Sequence, residues 1–229
     1  MNFIKKVPLL YSCGGNVPEW RRHLQPCEYL ETDGDCWINL QLENNFNLNN
    51  FECKIKIHSE HNGNSQGYYG WRYGPNNRQF AAMEYGYAYV NKGVLFDGNS
   101  HEFKINNADI IIEHKNNNVK IVDFDNNILD NYNFNENNSI IDNVALFTFF
   151  TTNNTIANKM ITGGRMYEYI LKSTNVNKNI IAAYVIDQYT DNKANLCTAG
   201  VPGMVDTLTG VFYTNDGSGQ FSHGGDIEI

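Results

Sequence analysis

The sequence predicts an all-β protein, a two-sheet antiparallel sandwich of the jelly-roll type, and three observations carry that expectation. Runs in which Tyr, Phe, Val, Ile and Thr alternate with polar residues recur along the whole chain, and alternation of this kind marks strands with one buried face. Clusters of Asn, Gly and Asp bound these runs, as turns require, and helix signals are nearly absent. The chain has 229 residues, 41% of them hydrophobic. That length suits one β-sandwich domain and buries enough surface to need neither metal nor disulfide for stability.

Taken in chain order, the strands fall at 27–32, 36–42, 51–59, 67–73, 79–90, 101–106, 109–114, 119–125, 144–152, 164–173, 180–187 and 211–214. A dozen strands is a jelly-roll count. The clearest hairpin joins IIIEH at 110–114 to VKIVD at 119–123 through KNNN, because Asn tolerates the positive φ of a tight turn. Asparagine is the commonest residue, and its clusters at 44–45, 126–127 and 131–138 read as loops. The domain is expected to span residues 27–229. Residues 1–26, with their prolines and Gly14-Gly15, are expected to form an extended N-terminal arm.

Cys13, Cys27, Cys36, Cys53 and Cys197 are odd in number and lack metal-ligand or CxxC spacing, so they read as reduced, buried residues of a protein made in a reducing cytoplasm. The net charge is −8 and the pI about 5.2, with both signs mixed along the chain. No basic stripe offers a footprint for nucleic acid, and no basic amphipathic segment or long apolar run offers one for a membrane. The apolar run 7–11 is short and broken by Pro8, which makes it a poor export signal.

Two segments carry a family resemblance. EYLETDGDCWIN at 28–39 and GMVDTLTGVFYTNDGSGQF at 203–221 resemble the opening and closing motifs of laminin-G-like, concanavalin-A-like jelly-roll domains of bacteriophage virions and gut-bacterial surface proteins. GRMYEYI at 164–170 is similar to a strand of the same domains. The resemblance covers residues 27–224. It implies a structural virion component (capsid decoration, head fibre or tail-associated protein) made in the host cytoplasm without a signal peptide. Its partners would be other virion proteins, with homo-oligomers expected, or a host surface glycan. It implies neither catalytic residues, nor a cofactor, nor a metal.

Four groups of residues remain as candidates for chemistry. Glu31, Asp33 and Asp35 alternate as paired carboxylates of a glycosidase would, but TDGD is a turn sequence. Asp123, Asp125 and Asn127 offer oxygens to a hard cation, or simply form an Asx-rich hairpin turn. His58, His61, His101 and His114 have neither metal-ligand spacing nor a nucleophile partner. The most distinctive segments place Tyr69, Trp71 and Tyr73 on one strand face and Tyr85, Tyr87 and Tyr89 on another. Core packing, a protein interface and a glycan-stacking platform all use such faces. In the arm, Lys5, Lys6, Trp20, Arg21 and Arg22 are the expected attachment residues, docking on another subunit unless the arm completes its own sandwich.

Overall fold

The structure, a computed structural model, describes residues 18–47, 50–59, 67–73, 79–81, 107–116, 118–133, 140–148 and 162–227. One 3-10 turn, Glu19–Arg22, precedes β1 (Leu24–Pro26), β2 (Leu30–Asp33), β3 (Ile38–Asn39), β4 (Phe46–Asn47), β5 (Phe51–Ser59) and β6 (Tyr69–Tyr73). There follow β7 (Gln79–Ala81), β8 (Ala108–Lys115), β9 (Asn118–Asp123), β10 (Ile128–Asn133), β11 (Ile140–Leu146) and β12 (Thr162–Ser173). The last six are β13 (Asn177–Val185), β14 (Tyr189–Thr190), β15 (Leu196–Cys197), β16 (Pro202–Asp206), β17 (Phe212–Tyr213) and β18 (Ser222–His223).

Sixteen of these strands form an all-β sandwich of two antiparallel sheets, and β14 and β15 pair only with each other. The larger runs β10-β9-β8-β5-β12-β13-β16-β17, with β2 and then β18 continuing from β12, and β1 lying on β13. The smaller runs β3-β11-β6-β7, with β4 also on β11. The centre of the large sheet is β5, whose Phe51, Cys53, Ile55 and Ile57 are buried in strict alternation. Its ladders to β8 and β12 put Ile110 and Ile112 on one side and Tyr169 and Leu171 on the other. Facing them across the core, the small sheet and its flanks supply Ile38, Leu40, Phe46, Tyr69 and Leu146.

The predicted hairpin is β8–β9, turning at Asn116 with φ +50°. The tract at 131–138 does not read as expected, since residues 131–133 belong to β10. This strand carries no hydrophobic alternation, because it is exposed on both faces. It is held by its ladder to β9 and by the Asn118 side chain, which donates to Asn131, Asn133 and the Tyr132 carbonyl. The predicted strands at 82–90, 101–106 and 149–152 lie outside the described residues.

Residues 18–26, read as part of the arm, are built into the sandwich. Leu24, Gln25 and Pro26 pair with Val185, Tyr184 and Ala183 of β13. Trp20 and Leu24 then cover the outer side of the large sheet together with Cys197, over Ala183, Val185, Val205 and Phe212. Alternation explains this second core: Ala182 faces the sandwich and Ala183 faces the cap. Gly210 closes the cap at φ +74°, where an added Cβ would also lie 3.0 Å from the Trp20 ring.

A seam joins the two ends of the domain. Glu31 and Leu30 of β2 pair with Ser222 and His223 of β18. Trp37 N–H donates to Asn215 Oδ1 (3.0 Å) and Asn39 N–H to Asp216 Oδ2 (2.8 Å), while Asp216 N–H returns to the Trp37 carbonyl (2.9 Å). Gln220 N–H donates to Asp33 Oδ2 (3.0 Å) and Gly219 N–H to the Asp35 carbonyl (3.1 Å). A Cβ on Gly217 would collide with the Asp35 carbonyl oxygen and crowd the Trp37 ring at 3.0 Å. Below the seam, Phe221 packs on Phe147 with centroids 4.8 Å apart.

Cys27, Cys36, Cys53 and Cys197 are buried and unbridged. Burial pushes the first three thiols up to about 12, so they stay protonated and unreactive. Cys13 lies outside the described residues.

Because backbone rather than a mobile side chain meets the new methyl, Gly217→Ala should lower unfolding free energy by about 1–3 kcal/mol. Urea denaturation measures this. Ser218→Ala beside it, on an exposed side chain, should change stability by less than about 0.5 kcal/mol.

Candidate functional site

Of the carboxylates considered for catalysis, Asp33 and Glu31 are bound through their side chains and Asp35 through its backbone. Asp33 accepts from Gln220 and Asp35 N–H, and these two bonds hold its carboxyl below the usual range. Glu31 forms a 2.6 Å ion pair with Arg165 Nε. Asp123 accepts from Asp125 N–H, Asn127 N–H and the Asn127 amide at 2.7–2.9 Å. With these three donors on it, the carboxylate organises the β9–β10 turn. Among the described residues, no group of three or more His, Cys, Asp and Glu can hold a metal ion, and no helix is long and apolar enough to cross a membrane.

The Asp123 turn has a second consequence, which is to aim Phe124 back over the outer face of the large sheet. There Phe124 meets Tyr167 edge-on, at 5.3 Å and 80°. Tyr167 is the extra residue of a β-bulge in β12, where pairing with β5 slips between Met166 and Glu168. A bulge re-aims the side chain it carries. Tyr29 closes the group from the start of β2, with its ring 5.6 Å from Tyr167 at 71°.

Two cations sit on this aromatic group. Lys56 Nζ is 4.3 Å from the Phe124 centroid and 5.5 Å from that of Tyr167. The Arg165 guanidinium is 4.5 Å from the Tyr29 centroid while paired with Glu31, and that hydrogen bond raises its pKa further. Tyr167 hydroxyl donates to Asp109 Oδ1 (3.2 Å), and burial followed by the Asp109 charge pushes its pKa well up. Asp109 Oδ1 also meets His58 Nδ1 at 2.9 Å, and His58 Nε2 meets Asn107 Oδ1 at 3.0 Å. Both imidazole nitrogens of His58 are thus engaged, one of them on Asp109. The whole arrangement is a half-exposed, pre-ordered face of three rings, two cations and two carboxylates.

Of the predicted platform residues, only the side chain of Tyr69 is described. Tyr69 is buried in the core at 1% exposure, 6.1 Å from the Tyr169 ring, and is closed to any glycan. Trp71 and Tyr73 share β6 with it, paired to Val144 and Ile141 of β11. Tyr85, Tyr87 and Tyr89 lie outside the described residues, as do Lys5 and Lys6. Trp20 is a core residue of the cap, 5% exposed. The guanidinium of Arg21 lies 5.4 Å from the Trp20 ring centroid, and Arg22 lies 3.5 Å from Glu19.

Reading from sequence missed Tyr29, Lys56, Phe124 and Tyr167. Outward alternation in β5 was available for Lys56. Nothing signalled that a turn residue and a bulge residue would meet over it. With the geometry established, comparison adds no identity: no family model matches this chain, and no curated protein matches it.

His61 and His101 lie outside the described residues, and His114 faces the core. Its ring meets Phe51 edge-on at 4.7 Å, its Nε2 is 3.1 Å from the Asn116 carbonyl, and burial pulls its pKa down to about 3. The unfolded chain therefore takes up a proton near pH 6.5 that the folded chain refuses until about pH 3. Stability from this group is full above the unfolded pKa and is lost as pH falls through that window. Between pH 6 and 4, unfolding free energy should fall by about 1.4 kcal/mol per pH unit more steeply in the parent than in His114→Leu. Urea denaturation across pH reads the slopes, and equal slopes would contradict the buried neutral imidazole.

Proposed function

We propose that this chain is a non-catalytic binding and assembly domain, a structural component of a bacteriophage virion such as a capsid decoration, head fibre or tail-associated protein. The likeness of segments 28–39 and 203–221 to laminin-G-like, concanavalin-A-like jelly rolls supports the virion setting and the jelly-roll connectivity. The observation that carries the binding reading is the outer face around Tyr167. Its rings and cations are ordered by their own ion pairs and hydrogen bonds, so a partner meets them with little further loss of side-chain freedom. Aromatic and Arg side chains held in this way are the usual anchors of protein interfaces.

A second reading, attachment to a bacterial surface polysaccharide, draws on the same rings, since Tyr29 and Tyr167 combine an apolar body with a hydroxyl. The chain's net charge of −8 speaks against a polyanionic partner in both readings.

Rebinding to particles made without this protein separates them. Purified protein should rejoin such particles, and a Tyr167→Ala, Phe124→Ala double variant with an unchanged unfolding midpoint should bind about 30-fold more weakly. Binding to a polysaccharide array but not to particles would favour the second reading. Binding to neither would overturn the proposal.

A further inference from the structure

Asp206 is the most deeply buried carboxylate among the described residues, and a lysine is buried with it. Lys178 Nζ lies 3.1 Å from Asp206 Oδ2, with the carboxylate side chain fully buried and that of the lysine 13% exposed. The two meet because Asp206 ends β16 opposite Ile180 of β13, and Lys178 stands two positions before Ile180 on the same strand face. Neither residue belongs to the Tyr167 face or to the seam.

Four donors converge on this carboxyl group. Asn179 N–H and Leu208 N–H both donate to Oδ1, each at 3.2 Å. Lys178 Nζ and the Thr209 hydroxyl both donate to Oδ2, at 3.1 and 2.7 Å. Two main-chain N–H groups on one oxygen form the arrangement that holds an oxyanion in acyl transfer. The nitrogen on the other oxygen is a nucleophile held against the group it would attack. Backbone bonds fix both sides, since Asp206 N–H donates to the Val211 carbonyl at 2.9 Å and Thr207 N–H to the Asn179 carbonyl at 2.8 Å. Burial disfavours the Lys178 charge, but Tyr213 and Asp206 outweigh it and raise the lysine pKa. The charged pair is therefore the starting state.

We propose that Lys178 and Asp206 condense into an isopeptide cross-link between β13 and β16. A proton moves from Nζ to Oδ2 along their hydrogen bond, which leaves a neutral amine beside a neutral acid. Nζ then attacks Cγ, the C–N bond forms, and Oδ1 becomes an oxyanion held by Asn179 and Leu208 N–H. A second proton passes from nitrogen to Oδ2, the Cγ–Oδ2 bond breaks with the Thr209 hydroxyl on the departing oxygen, and the Oδ1 carbonyl re-forms. One water leaves and one hydrogen stays on the amide nitrogen, so no oxidant or other reagent is needed. The product replaces two buried charges, which are costly to keep from water, with one neutral amide. This inference is independent of the partner-binding face.

Mass spectrometry of the denatured, reduced full chain decides it. After incubation of the folded protein, the main species should be lighter than its sequence by one water, and Lys178→Arg should keep its full mass. Trypsin should fail to cut after Lys178, leaving peptide 173–193 joined to peptide 194–229. A parent chain of full mass would overturn the proposal. So would a loss of water from a chain that trypsin still cuts after Lys178, because the loss would then lie elsewhere. The parent alone gives both readings, so they stand even if the variant fails to fold.

Discussion

The sandwich depends on the seam where the two ends of the domain interlock. Two sheets that share a core still leave the backbone of β2, β3 and the loop between them on the rim, with N–H groups that the ladders do not use. Asn215 and Asp216 answer those groups with side-chain oxygens, while the Asp33 carboxylate and the carbonyls of Trp37, Asp35 and Tyr29 accept from the closing segment. Buried or half-buried main-chain groups left without partners would each cost about 1–3 kcal/mol. The turn can approach this closely only because Gly217 has no side chain.

From that constraint the outer surface follows. Holding β2 against β12 places Tyr29 and Glu31 beside Arg165, and the bulge in β12 turns Tyr167 toward both Tyr29 and Phe124. At one end of the same sheet, Trp20 and the β14–β15 hairpin cover the outer side of β13, β16 and β17 as well. One sheet thus carries a polar, aromatic outer face at its centre and an apolar, covered one at its end. The inner face is continuous beneath both.

How much of this was legible depended on alternation. In β5 buried residues recur at every second position, and in β12 they do so on either side of the bulge, so that their assignment as strands follows directly. β10 escaped because Ile128, Leu129 and Tyr132 sit among Asn on a strand open on both faces, where no period of two can arise. The cap escaped because Trp20 lies between Pro18, Glu19 and two arginines, a composition that reads as solvent-exposed arm. The aromatic segment at 69–73 drew attention as a binding face, yet Tyr69 fills the core, since alternation marks a face without saying which way it points. The site around Tyr167 needed contacts between residues 29, 56, 124 and 167, and such distances along the chain leave no local trace.

Native-state amide exchange tests the seam most directly. The amides of Trp37, Asn39, Gly219 and Gln220 should exchange only through global unfolding, with the same free energy and urea dependence as the core amides of β5 and β12. Exchange of these four amides through a local opening insensitive to urea, while β5 and β12 stay protected, would contradict the claim that the fold depends on this closure.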